Sequence, residues 1–108
     1  MVKLTVFYGQ PQDPGAFDRY YQQVHIPLVR KLPGLKGYTT DKPISLTPQE
    51  KSPYYMIASL YWDNMQAVQE ALQSSEGQAT AADLQNFATG GAALMVGELE
   101  VVVPVSLS

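Results

Sequence analysis

The sequence predicts an α+β fold: a four-stranded antiparallel sheet with both helices on one face, in the order β-α-β-β-α-β. Three observations point there. Four segments read as strands, by apolar–polar alternation or as a run apolar on both faces, two stretches between them repeat apolar residues at spacings of three and four, and Gly, Pro and polar clusters separate the segments. The 108 residues, 45% hydrophobic and 16% charged, suffice for one core, so a single domain over residues 1–108 is expected.

The first strand is read over Val2–Tyr8, with Val2, Leu4, Val6 and Tyr8 on one face and Lys3, Thr5 and Phe7 on the other. Asp13-Pro14 then offers a capping carboxylate and a proline suited to a first helical turn. In the helix that follows, Phe17, Tyr20, Tyr21, Val24 and Leu28 form an apolar stripe, and His25 lies four residues after Tyr21. Pro27 cannot donate to the Gln23 carbonyl and disfavours helical dihedrals at Ile26, so the helix is expected to kink or restart near residues 24–27.

After Pro33-Gly34 a second strand, an edge strand, is read from Leu35 to Ile44. The most apolar strand runs from Tyr54 to Trp62, with Tyr54, Met56, Ala58, Leu60 and Trp62 on one face and Tyr55, Ile57, Ser59 and Tyr61 on the other. Both faces are apolar enough to need cover. Asp63 is read as the cap of a helix carrying Met65, Val68 and Leu72. A further helix is expected around Gln78–Ala88, Gly90-Gly91 ends it, and Met95–Val103 forms the last strand. With both helices on one face, the other face of the sheet stays bare, which favours a face-to-face homodimer.

Composition excludes several functions. Seven Lys and Arg stand against ten Asp and Glu, a net charge of −3 without a basic run, so nucleic acid is not an expected partner. The absence of cysteine removes disulfides, thiolate metal sites and thiol nucleophiles. A lone histidine leaves no metal-ligand pattern, and no cofactor is expected. No apolar run approaches the ~18 residues of a membrane span, and the first strand is too short for a signal-peptide core, so a cytoplasmic protein is expected.

His25 is the one side chain whose ordinary pKa lies near neutrality, which makes it the default general acid or base; the plainer reading is a residue capping the broken helix. Tyr38 can present a hydroxyl to a pocket, and Tyr21, one turn before His25, can orient the imidazole or donate to a bound carbonyl. Tyr55, Tyr61 and Trp62 can line a site for an aromatic ligand or simply pack. Glu98 and Glu100 share one side of the last strand and read as a rim pair or a partner for His25.

The stretch from Phe17 through His25-Ile26-Pro27-Leu28, then Leu32-Pro33-Gly34-Leu35 and Tyr38, resembles the EthD family of dimeric α/β barrel proteins, as does the opening VKLTVFYGQPQDP. The resemblance covers nearly the whole chain. It implies a ferredoxin-like subunit paired into a two-subunit barrel. Small proteins linked to bacterial degradation of ethyl tert-butyl ether, polyketide cyclases, decarboxylases, dehydratases, methylmuconolactone isomerases and monooxygenases belong to the wider group, so the fold implies a pocket rather than one reaction. The isomerases' active-site histidine and tyrosine match His25 and Tyr38, whereas their further histidine and cysteine residues have no counterpart.

Two functions follow. The first is a small-molecule enzyme or accessory protein that binds an apolar or aromatic carbonyl compound and uses His25 for acid–base chemistry. The second is a non-catalytic carrier dimer for a hydrophobic ligand.

Overall fold

The computed structural model describes residues 1–107. Its four strands are β1 (Val2–Gly9), β2 (Gly37–Asp41), β3 (Tyr54–Trp62) and β4 (Ala92–Glu98). They form one antiparallel sheet in the order β2-β3-β1-β4. The helices are α1 (Pro14–Tyr20), a π turn (Tyr21–His25), α2 (Ile26–Val29), α3 (Met65–Gln73), α4 (Ser75–Asp83) and a final 3-10 turn over Leu84–Asn86. This is the α+β, ferredoxin-like architecture.

The core lies between the helices and one face of the sheet. Val2, Leu4, Val6 and Tyr8 of β1 and Met56, Ala58, Leu60 and Trp62 of β3 point into it, against Phe17, Tyr21, Val29, Val68, Ala71 and Phe87. Each large side chain buried there contributes about 1.5–3 kcal/mol. Tyr8, Phe17, Tyr21 and Phe87 form an aromatic cluster with ring centroids 5.2–5.8 Å apart. Trp62 is fully buried, and its indole N–H donates to the Pro33 carbonyl at 2.9 Å, which fixes the turn leading into β2.

The first helical segment begins as expected, with Asp13 Oδ1 accepting from the Ala16 amide at 3.1 Å, and the interruption expected near Pro27 is a π turn over Tyr21–His25 from which α2 restarts at Ile26 without leaving helical dihedrals. Ile26 keeps helical dihedrals, φ −56° and ψ −46°, and its amide donates to the Tyr21 carbonyl five residues back. The extra residue in that wide turn accommodates the proline and rotates everything after it by about 100° relative to an α-helix. The apolar stripe is therefore Phe17, Tyr21, His25, Val29 rather than Phe17, Tyr21, Val24, Leu28. Val24 is 39% exposed, whereas His25 is 3% exposed.

Other boundaries also differ from expectation, α4 among them, which spans Ser75–Asp83 rather than Gln78–Ala88. β2 is shorter than Leu35–Ile44, and at its far end Pro43 cannot donate to a ladder. β4 starts three residues early and stops at Glu98, since β1, its partner, has run out at Val2. The Val101–Val103 run expected in that strand lies beyond it, exposed. The cap of α3 is Asn64, whose side chain accepts from the Ala67 amide at 2.8 Å, not Asp63.

A register shift between Tyr8 and Gly9 inserts an extra residue in β3, since Tyr8 faces Met56 and Gly9 faces Tyr54. The shift exchanges the first two residues of β3 between faces. Tyr54 packs on Phe7 of the bare face, with centroids 5.2 Å apart, and Tyr55 packs on Phe17 of the helix side, also at 5.2 Å. No helix among the described residues is long and apolar enough to cross a membrane.

Candidate active site

The π turn carries His25 into the space between helices and sheet, where it meets α4. His25 Nδ1 lies 2.9 Å from Asp83 Oδ2, and the two side chains are 3% and 7% exposed. Asp83 is held in turn by the Tyr20 hydroxyl at 2.5 Å and the Asn86 amide at 2.9 Å, both donating to Oδ1. Burial alone would raise the Asp83 carboxyl, but the hydrogen bonds from Tyr20, Asn86 and His25 outweigh it and hold the group below the usual carboxylate range.

Burial pushes the His25 imidazole below its ordinary value, and the Asp83 carboxylate offsets only part of that fall. At neutral pH the ring is therefore uncharged. A carboxylate only accepts, so Nδ1 carries the proton and Nε2 carries the lone pair. Nε2 has no hydrogen-bond partner among the described residues, and His25 lines an inner cavity of about 50 Å³. The pair thus holds a neutral base in one tautomer with its lone pair free.

Two sequence-predicted residues join His25 at that cavity. Tyr21 precedes it by one turn, and Tyr38 enters from β2 opposite Leu60. Their hydroxyls are hydrogen-bonded to each other. Tyr8 lines the same cavity, its ring 5.8 Å from that of Tyr21. Burial raises all three phenols above their ordinary range, so each remains a proton donor at neutral pH. The rest of the lining is largely apolar, including Leu4, Val29, Leu60, Leu84 and Leu94.

The other predicted residues lie elsewhere. Tyr55 donates to Asp18 at 2.9 Å and sits beside Lys42, which reaches the same carboxylate at 2.8 Å; this cluster ties β3 and the segment after β2 to α1. Tyr61 is on the bare face, against Gly37. Trp62 faces the helices but is engaged with Pro33 and does not line the cavity. Glu98 ends β4 and Glu100 lies past it; both are exposed and neither lines the cavity.

Asp83, Tyr8, Tyr20 and Asn86 are absent from the sequence-based site. Asp83 is 58 residues from His25 and falls on a polar stretch of helix. Its sole signal is that an aspartate in the last turn of a helix, where the helix dipole disfavours a negative charge, needs another reason to be there. Among the described residues no cluster of three potential metal ligands occurs.

Comparison with known proteins places this geometry in context. The EthD domain model matches residues 9–91. An uncharacterised 11.0 kDa protein in the thcB-thcC intergenic region of Rhodococcus erythropolis is 38% identical over 104 residues, covering 96% of this chain and 100% of that one. The crystal structure of an ethyl tert-butyl ether d (EthD) family protein from Bacillus halodurans is 37% identical with a TM-score of 0.85, over 93% of this chain and 99% of that one. For the fold alone, a dimeric ferredoxin-like protein of unknown function from Thermobifida fusca is 11% identical with a TM-score of 0.67, over 91% and 90% of the two chains. The matched model spans both His25 and Asp83, and the chain belongs to the EthD family.

Proposed function

We propose that the protein binds a small apolar or aromatic carbonyl compound and moves a proton at the carbon beside the carbonyl. The observation that carries this reading is the buried His25–Asp83 pair, which holds a neutral imidazole at a cavity that also contains two linked tyrosine hydroxyls. In the forward step Nε2 takes the α-proton, the C–H electron pair forms the carbon–carbon double bond of an enolate, and the carbonyl oxygen receives the negative charge. Tyr38 or Tyr21 donates to that oxygen. Returning the proton to the same or a neighbouring carbon completes an exchange or an isomerisation, with no other reactant required. Asp83 stabilises the imidazolium formed in between.

The working unit is a homodimer joined through the bare face of the sheet. Phe7, Tyr54, Ile57, Tyr61 and Met95 stand on that face without helices over them, and Met95 is 63% exposed. The fold relative from Thermobifida fusca is described as dimeric, which supports the same arrangement here.

The test is deuterium incorporation into the acetyl group of 4-acetylbenzoate in D2O, followed by NMR. Incorporation well above the buffer rate, lost in His25→Ala with the fold intact, is the expected result. Equal rates for the wild type and His25→Ala overturn the proton-transfer reading. A carrier for an apolar ligand is the second reading, favoured by the largely apolar lining of the inner cavity; tight binding without incorporation supports it.

A further inference from the structure

The inner cavity does not stand alone. A hollow of about 600 Å³, between α2 and the edge strand β2, is lined by Ile26, Arg30, Leu32, Leu35, Lys36 and Tyr38, with Gly34, Gly37 and Thr40. Leu32 and Tyr38 line the inner cavity as well. They form the shared wall, so Tyr38 presents its ring to the hollow and its hydroxyl to Tyr21 inside. The two spaces differ in kind. The inner one has room for a group of a few heavy atoms, while the outer one is of ordinary ligand size.

The outer hollow is also cationic in an acidic chain. Three of the seven Lys and Arg residues fall within residues 30–36, and no Asp or Glu occurs between Asp18 and Asp41. Arg30 closes α2 and has no ion-pair partner among the described residues. Lys36 reaches Asp63 at 3.8 Å across an exposed gap, a contact weak enough to be given up. The Gly34 and Leu35 amides, in the turn where Gly34 takes φ +73°, find no hydrogen-bond partner among the described residues. Two cationic residues and the Gly34–Leu35 turn therefore line one hollow that carries no carboxylate of its own.

Building on the proton-transfer reading, we infer that the natural substrate is an organic acid: a short acyl end enters the inner cavity past Tyr38, and an anionic group, a carboxylate, is held in the outer hollow by Arg30 and Lys36. The carboxylate fixes which carbon stands before His25. It also explains why the hollow is basic when the protein is not. A neutral ketone of the same shape gains the apolar contacts alone.

The test compares 4-acetylbenzoate with its methyl ester on the isotope-labelled full-length protein, by NMR titration at low and high salt. The acid is expected to bind about tenfold more tightly than the ester at low salt, with the preference shrinking as salt rises. Arg30→Gln with Lys36→Gln removes two exposed charges and is expected to abolish the preference while leaving ester binding unchanged. Equal affinities in the wild type, or a preference that survives the double substitution, overturn the anion site. Binding of the acid that shifts residues 30–37 but not Ala58 and Leu60 leaves the anion site standing and overturns the placement of the acyl end beside His25.

Discussion

His25 and Asp83 lie on separate helices 58 residues apart, yet their side chains meet at 2.9 Å inside the core. That contact depends on the π turn, which brings His25 rather than Val24 onto the buried face. It also depends on Tyr20 and Asn86, which take up the other carboxylate oxygen and leave Oδ2 for the imidazole. The result is a base whose tautomer is set by its second hydrogen bond.

Replacing Asp83 by Asn tests that arrangement. An amide in the same place can turn an N–H toward His25 and favour the tautomer with its proton on Nε2, which removes the lone pair from the cavity. Deuterium incorporation is expected to fall by about 10²-fold, with circular dichroism showing a retained fold. A rate within a factor of two of the wild type contradicts the role given to Asp83.

The pH dependence has a definite sign. His25 titrates below its ordinary 6.5 in the folded protein, so the unfolded chain takes up that proton first. The associated stability is present above about 6.5 and is lost as pH falls from there through the folded value. Asp83, also lowered, adds a loss of the same sign below its ordinary 3.8. Denaturation midpoints measured between neutral pH and pH 4 are expected to decline, and His25→Gln is expected to flatten the upper part of that decline. The proton-transfer rate should likewise keep its plateau to below pH 6.5.

The π turn is checked by a pair of substitutions. Val24→Gln, at an exposed position, is expected to change stability by no more than about 0.5 kcal/mol. Val29→Ala, in the core, is expected to cost about 1–3 kcal/mol. A regular α-helix through residues 21–29 would reverse the order of the two costs in urea denaturation.

Gly77 fixes how closely α4 approaches α3. A methyl group there would stand 2.1 Å from the Ala71 carbonyl oxygen and 2.7 Å from that of Leu72, both backbone atoms that cannot swing aside. Gly77→Ala is expected to lose about 1–3 kcal/mol and, because Gly77 also lines the inner cavity, to weaken ligand binding. Thermal denaturation and ligand titration measure the two effects.

Thr5 and Ser59 face each other at the centre of the bare sheet face. An arginine at Thr5 places an unpaired charge in the middle of the proposed subunit contact. Sedimentation velocity is expected to give a dimer for the wild type and a monomer for Thr5→Arg; a wild-type monomer at micromolar concentration contradicts the proposed pairing.

The fold was legible in the sequence because strand alternation and helix period are local signals. β1, β3 and the Asp13-Pro14 helix start follow directly from them. The misplaced elements each involve a partner or an inserted residue. β4 begins and ends where β1 allows, the face exchange at Tyr54 and Tyr55 comes from one extra residue opposite Tyr8 and Gly9, and the true stripe of the first helix comes from one extra residue before Pro27. At the site, His25, Tyr21 and Tyr38 are within reach of local reasoning, since each lies on an element whose pattern is readable. Asp83 is not, because nothing in the spacing of a polar helix indicates which distant residue it faces.

The most direct test of the account is the protonation state of His25, read from the nitrogen shifts of its ring in the isotope-labelled protein at neutral pH. The expected result is a neutral ring with its proton on Nδ1 and an Nε2 signal that moves when 4-acetylbenzoate binds. A proton on Nε2, or a charged imidazolium, would contradict it.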